Sequence, residues 1–198
     1  MYLTKVLVDS LTVQHLRLFD AYRWKQELYK AFIPVGSERP FLFDVRERAG
    51  TATVLVFSST PPKVLPFGTW QTKNVPDTFY NGNRYLFELT ANPTVKKAVL
   101  EEDGTKKKQG KREGLHPARY EEWLRRKFEN SGCTVTSVAT ENLGLRVCHH
   151  KGSLVSHSAA RFKGVISIKD PQGFKKMALE GVGSARGFGF GMLLLKRV

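Results

Sequence analysis

Apolar and polar positions alternate from Tyr2 to Val8 in a run rich in β-formers, which predicts a strand. The period then changes. Between Thr12 and Phe32 the side chains Leu18, Tyr22, Tyr29 and Phe32 recur on one helical stripe, and Pro34 and Gly36 end it. Lys25 falls on the same stripe. Alternation resumes over 40–48 and 51–59, two strands joined at Ala49-Gly50, and Thr60-Pro61-Pro62 stops the second. Residues 60–83, broken by Pro66, Pro76 and Gly82, read as loop. Arg84 to Thr90 reads as a further strand. The order β-α-β-β-loop-β suits a ferredoxin-like unit whose second helix is reduced to a loop.

A second unit follows the punctuation Ala91-Asn92-Pro93. Residues 94–116 contain a basic run with no apolar period, Lys106-Lys107-Lys108-Gln109-Gly110-Lys111-Arg112. Pro117 opens a helix to about Asn130, with Tyr120, Trp123, Leu124 and Phe128 on one face and Arg119, Arg125, Arg126 and Lys127 around the rest. Strands are predicted over 133–140, 143–150 and 161–168, the last two separated by a polar tip from Lys151 to Ser158. Asp170 is an N-cap with Pro171 at the first helical position, and Gly181 is the αL residue after the helix. A glycine-rich run, Gly181 to Gly191, leads into a last strand, Met192 to Leu195. The fold expected is α+β: two ferredoxin-like (RRM-like) domains in tandem, with antiparallel sheets, divided as 1–90 and 91–198. If the strand from Arg84 is counted as its first, the second unit reads β-α-β-β-α-β.

Composition adds a partner to this picture. The chain has 198 residues, 41% hydrophobic and 25% charged, as in ordinary globular proteins. Its net charge of +14 is not ordinary and calls for an acidic partner: nucleic acid, an anionic membrane surface or an acidic protein. The first 95 residues carry a net +3, whereas 96–127 carry +5 and 149–198 carry +7. No apolar run reaches the roughly eighteen residues of a spanning helix. The N-terminal stretch is too short and strand-like for a signal peptide. Cys133 and Cys148 are too few for a disulfide framework, so free thiols and a cytoplasmic location are expected.

Several motifs fix chemistry less firmly than they first suggest. Arg186-Gly187-Phe188-Gly189-Phe190 matches the start of the RNP1 signature. That motif lies on a third strand, with a helix and a strand still to follow, and only seven residues remain after Gly191. The glycine spacing also rules out a dinucleotide fingerprint. His15, His116, His149, His150 and His157 have no metal-ligand spacing, so neither a metal nor another cofactor is expected. Tyr22 and Lys25, at i and i+3, share a helix face. They are either a packed stem with a snorkelling ammonium or a cation positioned beside a phenol at a groove.

Taken in order, these features resemble the CasE family of CRISPR-associated endoribonucleases of type I-E systems, along nearly the whole chain. The matching residues are Met1-Tyr2-Leu3, the helix of Tyr22, Ala91-Asn92-Pro93, Gly110-Lys111-Arg112, Gly164-Val165 before Asp170-Pro171, and the glycine-rich run into Leu193-Leu194-Leu195. Ser184 stands where proline is common in the family, and Arg186 where lysine is common. The resemblance implies binding of a CRISPR repeat stem-loop and metal-independent cleavage at the base of the stem. It also implies retention of the product in a multisubunit effector complex. It places catalysis on a Tyr-x-x-His pair, here Tyr22 and Lys25, with lysine at the histidine position. A protonated lysine can stabilise charge or donate a proton but cannot accept one, so a hairpin-binding subunit with little activity is the alternative. RNA contacts are expected from three groups: Lys106, Lys107, Lys108, Lys111 and Arg112; Arg119, Arg125 and Arg126; and Lys151, Arg161 and Lys163. Gly181, Gly183, Arg186 and Gly187 of the terminal run are expected beside them.

Overall fold

A computed structural model describes residues 1–32, 40–48, 50–97, 111–150 and 152–198, without the side chains of Lys111 and His150. Two four-stranded antiparallel sheets organise the chain. The first joins β1 (Tyr2–Val8), β2 (Phe41–Arg48), β3 (Thr51–Ser58) and β4 (Thr69–Asn74) in the order β2-β3-β1-β4. The second joins β5 (Arg84–Ala91), β8 (Cys133–His150), β9 (Ser153–Ile168) and β10 (Leu193–Arg197) in the order β10-β5-β9-β8. Between β5 and the next helix a ribbon of β6 (Thr94–Lys97) and β7 (Lys111–Gly114) is inserted. In each sheet the first and third strands are central and every neighbour is antiparallel, the split βαβ plan of the ferredoxin-like fold. The sheets part between Asn74 and Arg84, ahead of the boundary expected at residue 90, because β5 pairs with β9 and β10.

The helix expected over 12–32 is two helices, α1 (Ser10–His15) and α2 (Ala21–Tyr29). Arg17 takes a left-handed φ of 52°, and Leu18 is fully buried between them. Asp20 restarts the helix by accepting a 2.9 Å hydrogen bond from the Arg23 backbone amide. The stripe also rotates. Trp24 and Leu28, each 1% exposed, face Val6, Val54 and Phe43 in the core, while Tyr22, Lys25 and Tyr29 lie on a half-buried flank. Burying Trp24 stabilises the first unit by about 4–6 kcal/mol.

Other elements depart from the pattern for local reasons. β4 lies within the stretch read as loop. It pairs only with β1, at the sheet edge, and exposes Gln71, Thr72, Lys73 and Asn74, so no alternation marks it. β8 is one strand of 18 residues, interrupted by bulges between Val135 and Ser137 and between Asn142 and Gly144. The expected polar tip is mostly strand, since β9 starts at Ser153. The helix opened by Pro117 begins as a 3-10 turn over Pro117–Arg119, then becomes α3 (Tyr120–Glu129), which buries Tyr120, Trp123, Leu124 and Phe128. α4 (Pro171–Glu180) is capped by the Asp170 carboxylate as expected. Gly181 has φ 82° and ψ 157°, an extended left-sided conformation that differs from αL.

The units meet across β2. Arg46 Nε donates to Asp44 Oδ2 at 2.8 Å, and its Nη2 lies 3.0 Å from Glu88 on β5. The glycine-rich run closes the other side of this junction. A Cβ at Gly181 would stand 2.9 Å from Leu42 Cδ1, and one at Gly189 would stand 3.3 Å from Phe43. These two glycines therefore admit side chains of the first sheet.

Candidate nucleic-acid interface

The glycine-rich run, the ribbon and α2 converge on one open groove of about 870 Å³. From the first unit comes Lys25. Its ammonium sits 5.7 Å from the ring centroids of both Tyr22 and Tyr29, so two aromatic faces hold the cation on the flank of α2. Opposite stand Gly183, Arg186 and Gly187 of the terminal run, with Arg112 from β7. The 3-10 turn Arg186–Phe188 packs directly on α2. Arg186 donates to the Glu180 carbonyl, which ties its guanidinium to the end of α4. Gly183 leaves only 3.0 Å between its would-be Cβ and the Trp123 ring, so a side chain there would push the backbone into the groove.

A polar cluster floors the groove. Asn92 and Ser184 form an isolated bridge between β5 and the terminal run. The Asn92 amide reaches His157 Nδ1 and Ser184 Oγ, each at 3.4 Å, and Thr94 Oγ1 lies 3.0 Å from Ser184 Oγ. Since the amide donates to Nδ1, the imidazole proton resides on Nε2. The His157 ring packs 4.7 Å from Phe188, and burial holds its pKa below the usual histidine value. None of these floor residues follows from the pattern of the sequence. Ala91-Asn92-Pro93 marks the turn, but nothing local pairs Asn92 with positions 157 and 184.

A second contact fixes α2. The far half of the β8–β9 hairpin runs past β5 and reaches the helix N-terminus. There His149 donates its backbone N–H to Asp20 Oδ2 at 3.4 Å, and its Nδ1 lies 3.8 Å from the same oxygen. Asp20 thus caps α2 through one carboxylate oxygen and holds the hairpin through the other.

The remaining expected contacts scatter. Arg161 and Lys163 do not line the groove. They lie on the sheet face toward the unit junction, where Glu88 is 3.6 Å from Arg161 and 3.7 Å from Lys163, and Glu141 is 3.2 Å from Arg161. Arg119 pairs with Glu122 at 3.2 Å. Arg125 pairs with Glu121 at 2.8 Å and donates to the Val135 carbonyl at 2.7 Å. Arg126 is exposed on α3, away from the groove lining. Gly181 lies against Leu42 and the Gly191 carbonyl. Lys106, Lys107, Lys108 and Lys151 lie outside the described residues, as does the side chain of Lys111. Cys133 and Cys148 are buried and unbridged, and burial pushes the Cys133 thiol up to about 12. Among the described residues no helix is long and apolar enough to cross a membrane, and no three His, Cys, Asp or Glu side chains gather as a metal site.

Comparison with known proteins gives this geometry a lineage. A family model described as CRISPR associated protein matches residues 1–197. The chain is similar to the CRISPR-associated protein Cas6e from Escherichia coli K-12, with 27% identity, full coverage of both chains and a TM-score of 0.75. It is similar also to Thermus thermophilus Cse3 bound to an RNA representing a pre-cleavage complex, with 25% identity, 98% of each chain covered and a TM-score of 0.79. A chain of a CRISPR RNA-guided surveillance complex shares the fold, with a TM-score of 0.78 at 24% identity over the full length of both chains. No curated protein sequence matches it. The chain belongs to the CRISPR-associated protein family, as a CasE-type (Cas6e/Cse3) member.

Proposed function

We propose that the protein binds the stem-loop of a CRISPR repeat and cuts precursor CRISPR RNA at the base of the stem, then keeps the product within an effector complex. The observation that carries this reading is the groove itself, in which Lys25 of one unit faces Arg112, Arg186 and the glycine-rich backbone of the other. Backbone amides and guanidinium groups suit phosphates, and the net charge of +14 suits a polyanion. The relatives point the same way, since Thermus thermophilus Cse3 is seen bound to an RNA representing a pre-cleavage complex.

The chemistry proposed is attack of a 2′-hydroxyl on its own 3′-phosphate. The 2′-oxygen passes its proton to a solvent water and bonds to phosphorus. The bond to the 5′-oxygen breaks, and that oxygen takes a proton. The products are a 2′,3′-cyclic phosphate and a 5′-hydroxyl. Lys25 stabilises the charge of the phosphorane or protonates the leaving oxygen, and Tyr22 holds the ammonium in place through its ring face. Lys25 is not assigned as the base, since an ammonium has no site to accept a proton.

The test is single-turnover cleavage of a labelled repeat hairpin in EDTA, with end-group analysis. A cyclic-phosphate product at the stem base is expected, and Lys25→Ala should slow it about a hundredfold. Equal rates would remove Lys25 from the chemistry. Tight binding with no product would leave a hairpin-holding subunit, the reading that lysine at the family's histidine position favours.

A further inference from the structure

Behind the groove lies a smaller cavity of about 270 Å³, enclosed by the N-terminal turn of α2, β2 and the far half of the β8–β9 hairpin. It shares His157 and Phe188 with the groove as a common wall. Trp24 lines the cavity, and the next residue, Lys25, lines the groove. The two spaces therefore sit on either side of one helical turn. We propose that this cavity receives one unpaired nucleobase, turned out of the RNA next to the phosphate that lies at Lys25. The inference rests on the RNA-cleaving reading above.

The lining suits a flat, polar-edged ring. Phe19, Trp24, His157, Phe188 and Phe190 give aromatic walls. Phe19, at the turn before α2, is 68% exposed, a large ring left in water at the cavity wall. Trp24 is 1% exposed, and its Nε1–H has no hydrogen-bond partner among the described residues. The same holds for Nε2 of His157, which carries the ring proton. A buried donor with no protein acceptor is costly, and both rings line the cavity. A base edge supplies in-plane acceptors for such donors, while its face stacks on the rings. An apolar peptide side chain would supply neither.

Charge decides between a base and a phosphate. Arg146 lines the cavity with its guanidinium 5.4 Å from the Phe190 ring centroid, a cation available to the nucleotide's own phosphate. Asp20 and Glu47 also line it, and their carboxylates oppose a dianion inside while accepting from an exocyclic amine. Extrusion costs least for a nucleotide that is already unpaired, as one flanking the stem base is.

The test measures affinity, so that it does not depend on catalysis. A repeat hairpin carrying a 2′-deoxy sugar at the attacking nucleotide is compared with hairpins made abasic at either nucleotide flanking the cut. One abasic RNA should bind about tenfold more weakly, as stacking losses do, and the other within about twofold of the intact RNA. Val147, 54% exposed where it lines the cavity, can be enlarged without entering the core. Val147→Trp should weaken the intact RNA by a similar factor and lose nothing more on the sensitive abasic RNA. Two abasic RNAs that both bind like the intact one would overturn the pocket, and so would losses that multiply. If the intact hairpin binds and only these signatures fail, the pocket falls alone. If the intact hairpin does not bind, the functional reading falls with it.

Discussion

Arg46 is the cation on which the junction of the two units turns, and replacing it by alanine gives a prediction with a size. The guanidinium lies 2.8 Å from Asp44 and 3.0 Å from Glu88. The two carboxylates are not equally dependent on it. Glu88 keeps Arg161 and Lys163 within 3.7 Å. Asp44 has a side chain only 3% exposed, and its Oδ1 has no hydrogen-bond partner among the described residues. Removing one member of a buried pair costs about 3–5 kcal/mol, because the other charge stays buried. Arg46 is 30% exposed, so the lower end applies, about 3 kcal/mol. Urea unfolding at neutral pH measures this. With a slope of about 2 kcal/mol/M the midpoint should fall by about 1.5 M. Asp44→Asn combined with Arg46→Ala should recover most of the loss, since no buried charge is left. A loss below about 1 kcal/mol would refute the argument, as would a double variant no better than Arg46→Ala.

Three further outcomes are expected. Gly164→Ala should destabilise the second unit by more than about 2 kcal/mol in the same assay, because its Cβ would stand 2.1 Å from the Ser137 carbonyl, a backbone atom at a bulge that cannot rotate away. His157 has a folded pKa below its ordinary 6.5, so the unfolded chain takes up the proton first. Its contribution is complete above the unfolded value and is lost as pH falls from there through the folded one. His157→Leu should flatten that segment of the midpoint-against-pH curve, and a curve parallel to the parent's would contradict the placement. Arg112→Ala should lower the slope of log affinity against log salt for hairpin RNA by about one, and Arg125→Ala, whose guanidinium is held by Glu121 and the Val135 carbonyl, should leave it unchanged.

What could be read from the chain and what could not divides along physical lines. β1, β3 and α4 are legible because one face of each is buried and the other is not. β4 is not, since only Trp70 of its six residues is even half-buried. The break between α1 and α2 had a readable signal, Asp20 as an N-cap, but Leu18 continues the helical period across it and masks the break. In the site, Tyr22, Lys25 and the glycine-rich run stand out locally. That Gly181 and Gly189 accommodate Leu42 and Phe43 does not, because those contacts join positions more than a hundred residues apart. Arg161 and Lys163 carry the right charge for RNA. Their ion pairs depend on the register that sets Lys163 opposite Glu88 and Arg161 opposite Glu141, and no single strand reveals a register.

The strand order also sets a timetable. The first sheet is complete once Asn74 has been made, because all four of its strands lie before that point. The second sheet cannot be. β5 is held between β9 and β10, and β10 ends at Arg197. Units fold in the order of synthesis, and pairing across so long a separation is slow. The helix that bears Lys25 is therefore formed early, on a ribosome that has not yet made the glycine-rich run. A nascent chain, or one cut short before Gly181, carries the cation without the cradle, so the groove is absent until that run has been made.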